Sequence, residues 1–209
     1  MTTLIIGANG QIGQILIKQL CERGERTRAM VRAPAPHLAE LGAEVVIADL
    51  EQDFGEALSG CDRVVFSAGS GASTGADKTI LVDMWGAMRA VDYAKQHRVK
   101  QFVMISSRGA EDPDNGPAAI KHYSACKKLA DDHLRHSGLP YTILRPGRLT
   151  NEPATGLFST TMPSDKDAQV ITREDVASAT AYCLTKPAAI GNIYPLVNGS
   201  NPLDTALGH

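Results

Sequence analysis

Short apolar runs alternate with longer amphipathic segments along the chain, and this alternation constrains the fold more than any single motif. The apolar runs are TLIIG, TRAMV, EVVIA, RVVFSA, QFVMISS, YTILRPG and NIYPLV. Strand followed by helix, repeated, is typical of a parallel sheet covered by helices on both faces. Strands buried on both faces are apolar throughout, as LII, VVI, VVF and FVMI are. The sequence predicts a three-layer α/β fold with a doubly wound parallel sheet. The segments between the runs predict helices over residues 11–23, 34–41, 53–59, 79–97, 117–137 and 173–185.

The length and charge of the chain limit the class of protein to which it can belong. With 209 residues it can bury one sizeable core, and we expect a single domain over residues 1–209. The formal net charge of −2 gives no electrostatic reason to expect nucleic acid or an anionic membrane as a partner. No apolar run reaches the roughly 18 residues of a membrane span, and MTTLIIGANG lacks a basic region and a cleavage site. We expect a cytoplasmic protein that binds neither nucleic acid nor a membrane.

The four cysteines are isolated from one another in the sequence. Cys21, Cys61, Cys126 and Cys183 form neither a CxxC motif nor a zinc-binding cluster. Free thiols are the simplest interpretation. We therefore expect no metal site and no cysteine in the functional site.

Three irregular stretches directly follow apolar runs: residues 67–79, 107–117 and 148–169. In a parallel sheet they would lie at the carboxyl ends of the strands, where ligands bind. We expect residues 107–117 and 148–170 to form most of the substrate side, the latter as a small C-terminal extension. The tip at residues 70–76 is equally well explained as a solvated connector.

Gly7, Gly10 and Gly13 lie between the first strand and the first helix, in LIIGANGQIGQILIKQL. Glycines in this position let the backbone turn tightly and approach a pyrophosphate. The pyrophosphate charge would then lie at the amino end of a helix, among free N–H groups and the positive end of the helix dipole. We interpret the pattern as a dinucleotide site on a Rossmann-type sheet; the alternative is a plain tight turn.

The second strand ends in AMVRAPAP, without the acidic residue that would bind the ribose 2′-hydroxyl of NAD. Arg32 lies there instead, and no acidic residue follows until Glu40. A guanidinium at this position would bind the 2′-phosphate of NADP, so we expect NADP as the cofactor, with NAD as the alternative. A surface arginine without a ligand is the other interpretation. Asp49, after the third strand, is a candidate acceptor for the adenine amino group or a helix N-cap.

A tyrosine lies four residues before a lysine in two places, KHYSACKK and YCLTK. At 100° per residue, Lys127 falls 40° from Tyr123 in the apolar stripe of its helix, although that helix already has a charged face. An ammonium directed to the interior needs partners. Tyr182 and Lys186 instead lie beside Asp175 on the outward face of their helix. Only the first pair is therefore a candidate site.

The chemistry of a phenol explains why a lysine would lie beside it. A free phenol has a pKa of about 10 and exchanges protons poorly near neutral pH. A neighbouring ammonium favours the phenolate, so Lys127 is expected to lower the pKa of Tyr123 while it binds the nicotinamide ribose. A third group should hold the reacting oxygen of the substrate. The end of the FVMISSR strand offers Ser106 and Ser107, although each hydroxyl alone is as well explained by a turn.

Together these motifs resemble the short-chain dehydrogenase/reductase superfamily, and within it a small atypical, epimerase-like group of NAD(P)H-binding proteins. The resemblance rests on GANGQIG, VR, the DL of Asp49 and Leu50, SAG, SS, YSACK, SGLPYTILRPGRLTNEP and ITREDVA. It covers essentially the whole chain, and the last two stretches are its most specific part. It implies a Rossmann-type domain that binds a nicotinamide cofactor.

At the nucleotide end, the resemblance implies that Gly7, Gly10 and Gly13 hold the pyrophosphate and that Arg32 meets the 2′-phosphate. It also implies contacts along the groove and beside the nicotinamide. The full set of expected cofactor contacts is Gly7, Asn9, Gly10, Gln11, Ile12, Gly13, Arg32, Asp49, Leu50, Ser67, Ala68, Gly69, Ser106, Tyr123, Lys127, Pro146 and Gly147.

At the reacting end, the resemblance implies Tyr123 as general acid/base, Lys127 as the group that lowers its pKa, and Ser107 as the catalytic serine, with Ser106 in second place. One residue departs from the family pattern: Asp83, in LVDMWGAM, stands where many relatives have an asparagine that supports the proton relay. The part of the chain after YTILRPG is short, so we expect a small substrate or a shallow open site.

Three functions are consistent with these expectations. The leading one is an NADP-dependent oxidoreductase that transfers a hydride to or from a small carbonyl or alcohol by a Ser/Tyr/Lys mechanism. The second is an NADPH-binding redox sensor that turns over no substrate, since a binding fold does not establish catalysis. The third is an epimerase or dehydratase of a sugar nucleotide. We expect a monomer or a homodimer, with Trp85 and Met88 in the core or, as the alternative, at a subunit contact.

Overall fold

The computed structural model describes residues 1–71 and 73–208, which form ten strands. The strands are β1 (Thr2–Ile6), β2 (Arg26–Val31), β3 (Glu44–Ile47), β4 (Arg63–Phe66), β5 (Gln101–Ile105), β6 (Tyr141–Pro146), β7 (Arg148–Thr150), β8 (Phe158–Ser159), β9 (Val170–Thr172) and β10 (Asn192–Asn198). Eight of them form one sheet in the order β3-β2-β1-β4-β5-β6-β10-β8, and β7 pairs with β9 separately. Neighbours in the large sheet are parallel, except that β8 is antiparallel to β10. The predicted α/β fold with a mostly parallel sheet is confirmed.

Helices cover both faces of the large sheet, which gives the three predicted layers. They are α1 (Gln11–Glu22), α2 (Pro36–Glu40), α3 (Ala76–Lys78), α4 (Ala87–Gln96), α5 (Lys121–His136), α6 (Arg173–Cys183) and α7 (Leu203–Leu207). The stretch between α3 and α4, Thr79–Gly86, is π-helical. Side chains of α1 and α6 pack on one face of the sheet, and those of α4 and α5 pack on the other.

The central strands are apolar throughout because both of their faces are buried. Along β1, Ile5 packs in the cluster under α1 and α6, whereas Leu4 and Ile6 pack in the cluster under α4 and α5. In β4, Val65 and Phe66 divide between the two clusters in the same way. Each fully buried side chain of this kind contributes about 1.5–3 kcal/mol. The two clusters thereby fix the carboxyl ends of β1 and β4, where the candidate site lies.

Several elements are shorter or more regular than the sequence predicts. The helix expected over residues 34–41 is the short α2, and the one expected over residues 53–59 is a 3-10 turn. The segment 148–169, expected to be irregular, contains β7 and β8. Its backbone groups need hydrogen-bond partners, and the Arg148 N–H, for example, donates to the Gln169 carbonyl (2.8 Å). Strands of two or three residues are too short to show an alternating pattern in the sequence.

Two side chains lie where the sequence does not predict them. Trp85, expected in the core, is 50% exposed. It belongs to the π-helical stretch, whose wider turn rotates later side chains away from the directions of an α-helix. Asp175, expected on an outward face, is 1% exposed, because its carboxylate accepts the N–H groups of Thr155 and Gly156 (both 3.0 Å).

Two further observations concern the part of the chain that the structure describes. Within residues 1–71 and 73–208, the helices are too short or too polar for any of them to cross a membrane. All four cysteines in that part are free thiols.

Candidate functional site

The expected nucleotide site lies where β1 and β4 run side by side, at their carboxyl ends. The chain crosses from β1 to β2 on one side and from β4 to β5 on the other, so a crevice opens between the two strand ends. Ser67 Oγ donates to the Ile6 carbonyl (3.0 Å) and ties the two ends together. Gly7 has a φ of +86°, and a Cβ there would lie 2.5 Å from the Ala68 nitrogen. The two loops approach each other this closely only because residue 7 is glycine.

Helix α1 begins at this crevice with an amino end that no side chain of the described residues caps. Its N-cap is Gly10, and its first turn contains no acidic residue. The first N–H groups of a helix have no partner within the helix. The Asn9 carbonyl accepts a hydrogen bond from Gln14 Nε2 (2.8 Å), which fixes the loop before the helix. Free N–H groups at the positive end of the helix dipole fit the pyrophosphate of a dinucleotide.

A cavity of about 370 Å³ extends from this point along the carboxyl ends of β1 to β4. Part of its lining consists of residues expected to contact the cofactor: Gly7, Asn9, Gly10, Arg32, Asp49, Leu50, Ser67, Ala68 and Gly69. The rest of its lining was not among the expected contacts, although three of these residues belong to the stretch 67–79 expected at the strand ends: Ile6, Met30, Val31, Ala48, Ser70, Thr74, Lys78 and Val82. A lining that combines apolar side chains with charged and hydroxyl groups is typical of a small-molecule pocket.

Two cations, Arg32 and Lys78, line the cavity. Arg32 is exposed just beyond β2, whereas Lys78 Nζ donates to both carboxylate oxygens of Glu51 (2.7 and 2.8 Å). The hydrogen bond to Glu51 raises the pKa of Lys78, so its ammonium is charged near neutral pH. In the sequence, residues 67–79 look like an irregular loop, which gives no reason to select Lys78. The one sequence feature that could have identified Lys78 is its position, as a cation near the end of a loop that follows a buried strand.

Asp49 and Leu50 reach the cavity directly after β3. Asp49 Oδ1 accepts the Glu51 N–H (3.0 Å) in a tight turn, and the next helical turn begins only at Gly55, so Asp49 is not a helix N-cap. Its other carboxylate oxygen has no hydrogen bond from the described residues. Leu50 is buried against Gly86, where a Cβ would lie 3.1 Å from the Leu50 Cβ. This contact fixes the Leu50 side of the cavity against the π-helical stretch.

Some expected cofactor contacts lie outside this cavity. Gly13 is buried, and a Cβ there would lie 2.5 Å from the Gly7 carbonyl oxygen, so its small size lets α1 pack close to β1. Gln11 lines a separate surface groove of about 340 Å³, and Ile12 packs against the core. Pro146 and Gly147, which also do not line the cavity, are buried at the end of β6.

Tyr123 and Lys127 lie on α5, which packs against the π-helical stretch and the end of β5. Lys127 is 3% exposed, as its place in the apolar stripe predicts. Its Nζ donates to the Ile105 carbonyl (3.3 Å) and lies 3.7 Å from Asp83 Oδ1. The Tyr123 ring is half-buried, with its centroid 5.9 Å from the Lys127 Nζ. The Lys127 ammonium therefore lies beneath the Tyr123 ring, close enough for its positive charge to act on the phenol.

The buried ammonium is balanced by its surroundings. Burial opposes the charged form of Lys127, but Tyr123, Asp83 and Asp131 outweigh this effect and hold the pKa of Lys127 above its ordinary value. Burial also raises the pKa of Asp131, whose Oδ2 nevertheless accepts a hydrogen bond from the Arg145 Nε (3.0 Å). The interior under Tyr123 thus contains two cations and two carboxylates.

Ser106 and Ser107 follow β5 and differ in exposure. Ser106 is 5% exposed, and its Oγ has no hydrogen-bond partner among the described residues. Ser107 is half-buried at the start of a 3-10 turn, Arg108–Ala110. That turn packs against α5, so Ser107 and Tyr123 lie on adjoining elements. No side-chain hydrogen bond joins these two residues in the described part of the chain.

The other groups considered in the sequence give no second site. Lys186 is exposed beyond the end of α6, with its Nζ 5.0 Å from the Tyr182 ring centroid and 3.6 Å from Asp204. Among residues 1–71 and 73–208, no three His, Cys, Asp or Glu side chains come together as metal ligands.

Comparison with known proteins identifies relatives over nearly the whole chain. The model of a family described as NAD(P)H-binding matches residues 7–187. An uncharacterized sugar epimerase of Bacillus subtilis, YhfK, is 41% identical, with 99% of each chain covered.

Two solved structures share the fold closely. A candidate NAD-dependent epimerase/dehydratase of Bacillus halodurans has a TM-score of 0.94 at 44% identity, over 98% of this chain and 97% of that one. The oxidoreductase ylbE of Lactococcus lactis has a TM-score of 0.86 at 28% identity, over 100% of this chain and 95% of that one.

Proposed function

The chain belongs to the NAD(P)H-binding family, whose members include oxidoreductase-like and epimerase-like proteins, and from this premise we propose that it is an NADP-dependent oxidoreductase. Its substrate is a small carbonyl compound or alcohol. The reaction uses Tyr123, Lys127 and Ser107. The observation that carries this proposal is the buried Lys127 ammonium, 5.9 Å from the centroid of the half-buried Tyr123 ring, since buried ionisable groups with a specific charge partner cluster at functional sites.

The cofactor lies in the cavity at the ends of β1 to β4. The amino end of α1 binds its pyrophosphate, and the Arg32 guanidinium binds the 2′-phosphate, for which a bidentate cation is suited. Lys78 lines the same cavity, with its charge paired to Glu51. When bound, the nicotinamide supplies or accepts the hydride.

Side chains near the end of β5 and on α5 bind the substrate and transfer the proton. Ser107 donates a hydrogen bond to the reacting oxygen of the substrate and orients it. Tyr123 transfers a proton to or from that oxygen, and Lys127 stabilises the phenolate that forms. Between β6 and α6 the chain forms only the short strands β7, β8 and β9, which supports a small substrate or an open site.

Replacing Tyr123 by phenylalanine tests this assignment. Tyr123→Phe removes only the hydroxyl, so the rate of NADPH consumption with an active aldehyde, ketone or quinone should fall by about 10² to 10⁴. NADPH affinity, measured by its fluorescence, should stay unchanged. Tyr182→Phe is the matched control, because Tyr182 is likewise half-buried near a lysine, with Lys186 Nζ 5.0 Å from its ring centroid, but lies on α6, on the other face of the sheet. Unchanged turnover in Tyr123→Phe would remove the catalytic role. NADPH binding without turnover on any carbonyl would favour a redox sensor.

The names of two relatives favour a second candidate function, epimerase or dehydratase action on a sugar nucleotide. Such an enzyme oxidises and re-reduces its substrate within one cycle, so it retains its oxidised cofactor. Mass analysis of the protein as isolated distinguishes the two functions. Stoichiometric bound oxidised cofactor would favour the epimerase, and cofactor that exchanges freely would favour the oxidoreductase.

A further inference from the structure

Asp83 is a buried carboxylate that the proposed chemistry does not use. It is 1% exposed, and its Oδ2 accepts the Ser70 N–H (2.9 Å). Its Oδ1 has no hydrogen bond from the described residues and lies 3.7 Å from the Lys127 Nζ. A buried carboxylate is retained at a cost, so its charge calls for a physical account.

The four charged side chains under Tyr123 have a net charge of zero: two cations, Lys127 and Arg145, and two carboxylates, Asp83 and Asp131. Asp131 is paired with Arg145 from β6 at 3.0 Å, which leaves Asp83 as the partner of Lys127. These four residues are between 0% and 8% exposed, so water screens their charges little. An uncharged amide in place of Asp83 would leave the same cluster with a net charge of +1.

The remaining groups near Lys127 do not change this sum. Burial raises the pKa of the Cys126 thiol on α5, which keeps it neutral. Ser106, at the end of β5, carries no charge. Arg108, on the adjoining 3-10 turn, is a further cation, but it is only half-buried, forms no ion pair with the four side chains and donates to the side-chain oxygen of Gln169 (2.6 Å).

We propose that Asp83 is a positioning residue that offsets the Lys127 charge and keeps Tyr123 in its protonated form, so that the site favours reduction with Tyr123 as the proton donor. This inference rests on the proposed function. A cationic cluster stabilises a phenolate, whereas a neutral one does so much less. The Asp83 carboxylate therefore reduces the extent to which Lys127 stabilises the phenolate form of Tyr123.

The consequence is a preferred direction of reaction. In reduction, a hydride from NADPH adds to the carbonyl carbon while the Tyr123 O–H bond breaks and its proton bonds to the carbonyl oxygen. NADPH is oxidised, the carbonyl becomes an alcohol, and the phenolate takes a proton from solvent. Oxidation of an alcohol needs the phenolate first, which Asp83 disfavours.

The experiment is a pH titration of the phenol by NMR, in protein that contains tyrosine labelled with ¹³C at Cζ. The Tyr123 signal is the one that Tyr123→Phe removes. Asp83→Asn removes the charge but keeps an oxygen for the Ser70 N–H. Asp92→Asn is the matched control, because Asp92 is an exposed carboxylate on α4.

In Asp83→Asn, the Tyr123 phenol should titrate about one pH unit lower than in the wild type, and in Asp92→Asn it should not move. A downward shift of about half a unit or more supports the proposal, and a smaller or upward shift overturns it. The wild type gives a second measurement if the variant does not fold. A wild-type Tyr123 that ionises below about pH 8 overturns the proposal without any variant. No substrate is used, so failure of the proposed function would show separately, as full turnover in Tyr123→Phe.

Discussion

Arg32 and Lys78 line the same cavity but differ in how their charges are engaged. Lys78 is bound by both oxygens of Glu51, whereas Arg32 is exposed and forms no ion pair with the described residues. A guanidinium without a competing partner can bind a phosphate without giving up another contact. Arg32 should therefore set the preference for NADP.

Arg32→Gln should weaken NADPH binding by about 10- to 100-fold and leave NADH binding unchanged, because one charge-assisted contact to the 2′-phosphate is lost. Calorimetric titration with both nucleotides measures the difference. Arg26→Gln is the matched control, since Arg26 is an exposed arginine at the amino end of the same strand, β2. Equal loss of NADPH and NADH affinity in Arg32→Gln would remove the assigned role.

Gly7 carries two separate constraints, a positive φ and a missing side chain. Gly24 has a similar φ of +74°, but a Cβ there would meet nothing within 4 Å. Gly24→Ala should cost about 1 kcal/mol in the free energy of unfolding, from the backbone conformation alone. Gly7→Ala should cost more and abolish cofactor binding, because the added Cβ displaces the Ala68 backbone. Urea unfolding of both variants separates the two effects; equal losses would mean that the close approach is unimportant.

Single residues of the site could be predicted as far as one element determines them. The direction of Lys127 follows from the periodicity of its own helix, and Arg32 follows from the end of its own strand. The pairing of Asp83 with Lys127 joins two elements far apart in the sequence. Helical periodicity says nothing about such a pair, and the π-helical turn at Asp83 shifts even the direction of its own side chain.

At the amino end of α6, Asp175 holds the chain before β8 in place. Its carboxylate accepts the N–H groups of Thr155 and Gly156 (both 3.0 Å) and the side-chain amide of Asn198 (2.6 Å). Burial opposes its ionised form, but these hydrogen bonds outweigh that effect and hold the pKa of Asp175 below its usual value. The position of the chain before β8 thus depends on the negative charge of the Asp175 carboxylate.

Asp175→Asn should lower the free energy of unfolding at pH 7 by about 1–3 kcal/mol, since it weakens buried charge-assisted hydrogen bonds. The folded pKa lies below the unfolded value of 3.8, so the stabilisation is present above that pH and is lost as pH falls through the folded pKa. The gap to the wild type should therefore shrink below about pH 4. Glu174→Gln, an exposed carboxylate in the same helical turn, is the control. A gap that does not depend on pH would contradict the account.

Regular elements were predictable in proportion to their length. The central strands are recognisable because burial on both faces makes them continuously apolar. β7 and β9 have three residues each, and their pairing depends on partners 22 residues away rather than on their own pattern. The π-helical stretch has the apolar content of an α-helix, so only the structure shows its wider turn.

At the scale of the whole molecule, the strand order brings the two ends of the site together. The crossing from β1 to β2 and from β4 to β5 opens one crevice, and α5 follows β5 beside it. Gly7 and Ser67 are far apart in the sequence, yet Ser67 Oγ bonds to the strand end next to Gly7. The sheet topology could be predicted from the alternation of strands and helices, but the width of the crevice could not.

A crystal structure with NADP bound would show whether the cofactor meets Arg32 and Tyr123 as proposed. We expect the 2′-phosphate on Arg32, the pyrophosphate at the amino end of α1, and the nicotinamide ring beside Tyr123. The Tyr123 hydroxyl and the hydride-transferring carbon should both face one open space, in which a substrate oxygen lies about 3 Å from the hydroxyl. A nicotinamide turned away from Tyr123, or a 2′-phosphate that does not contact Arg32, would contradict the proposal.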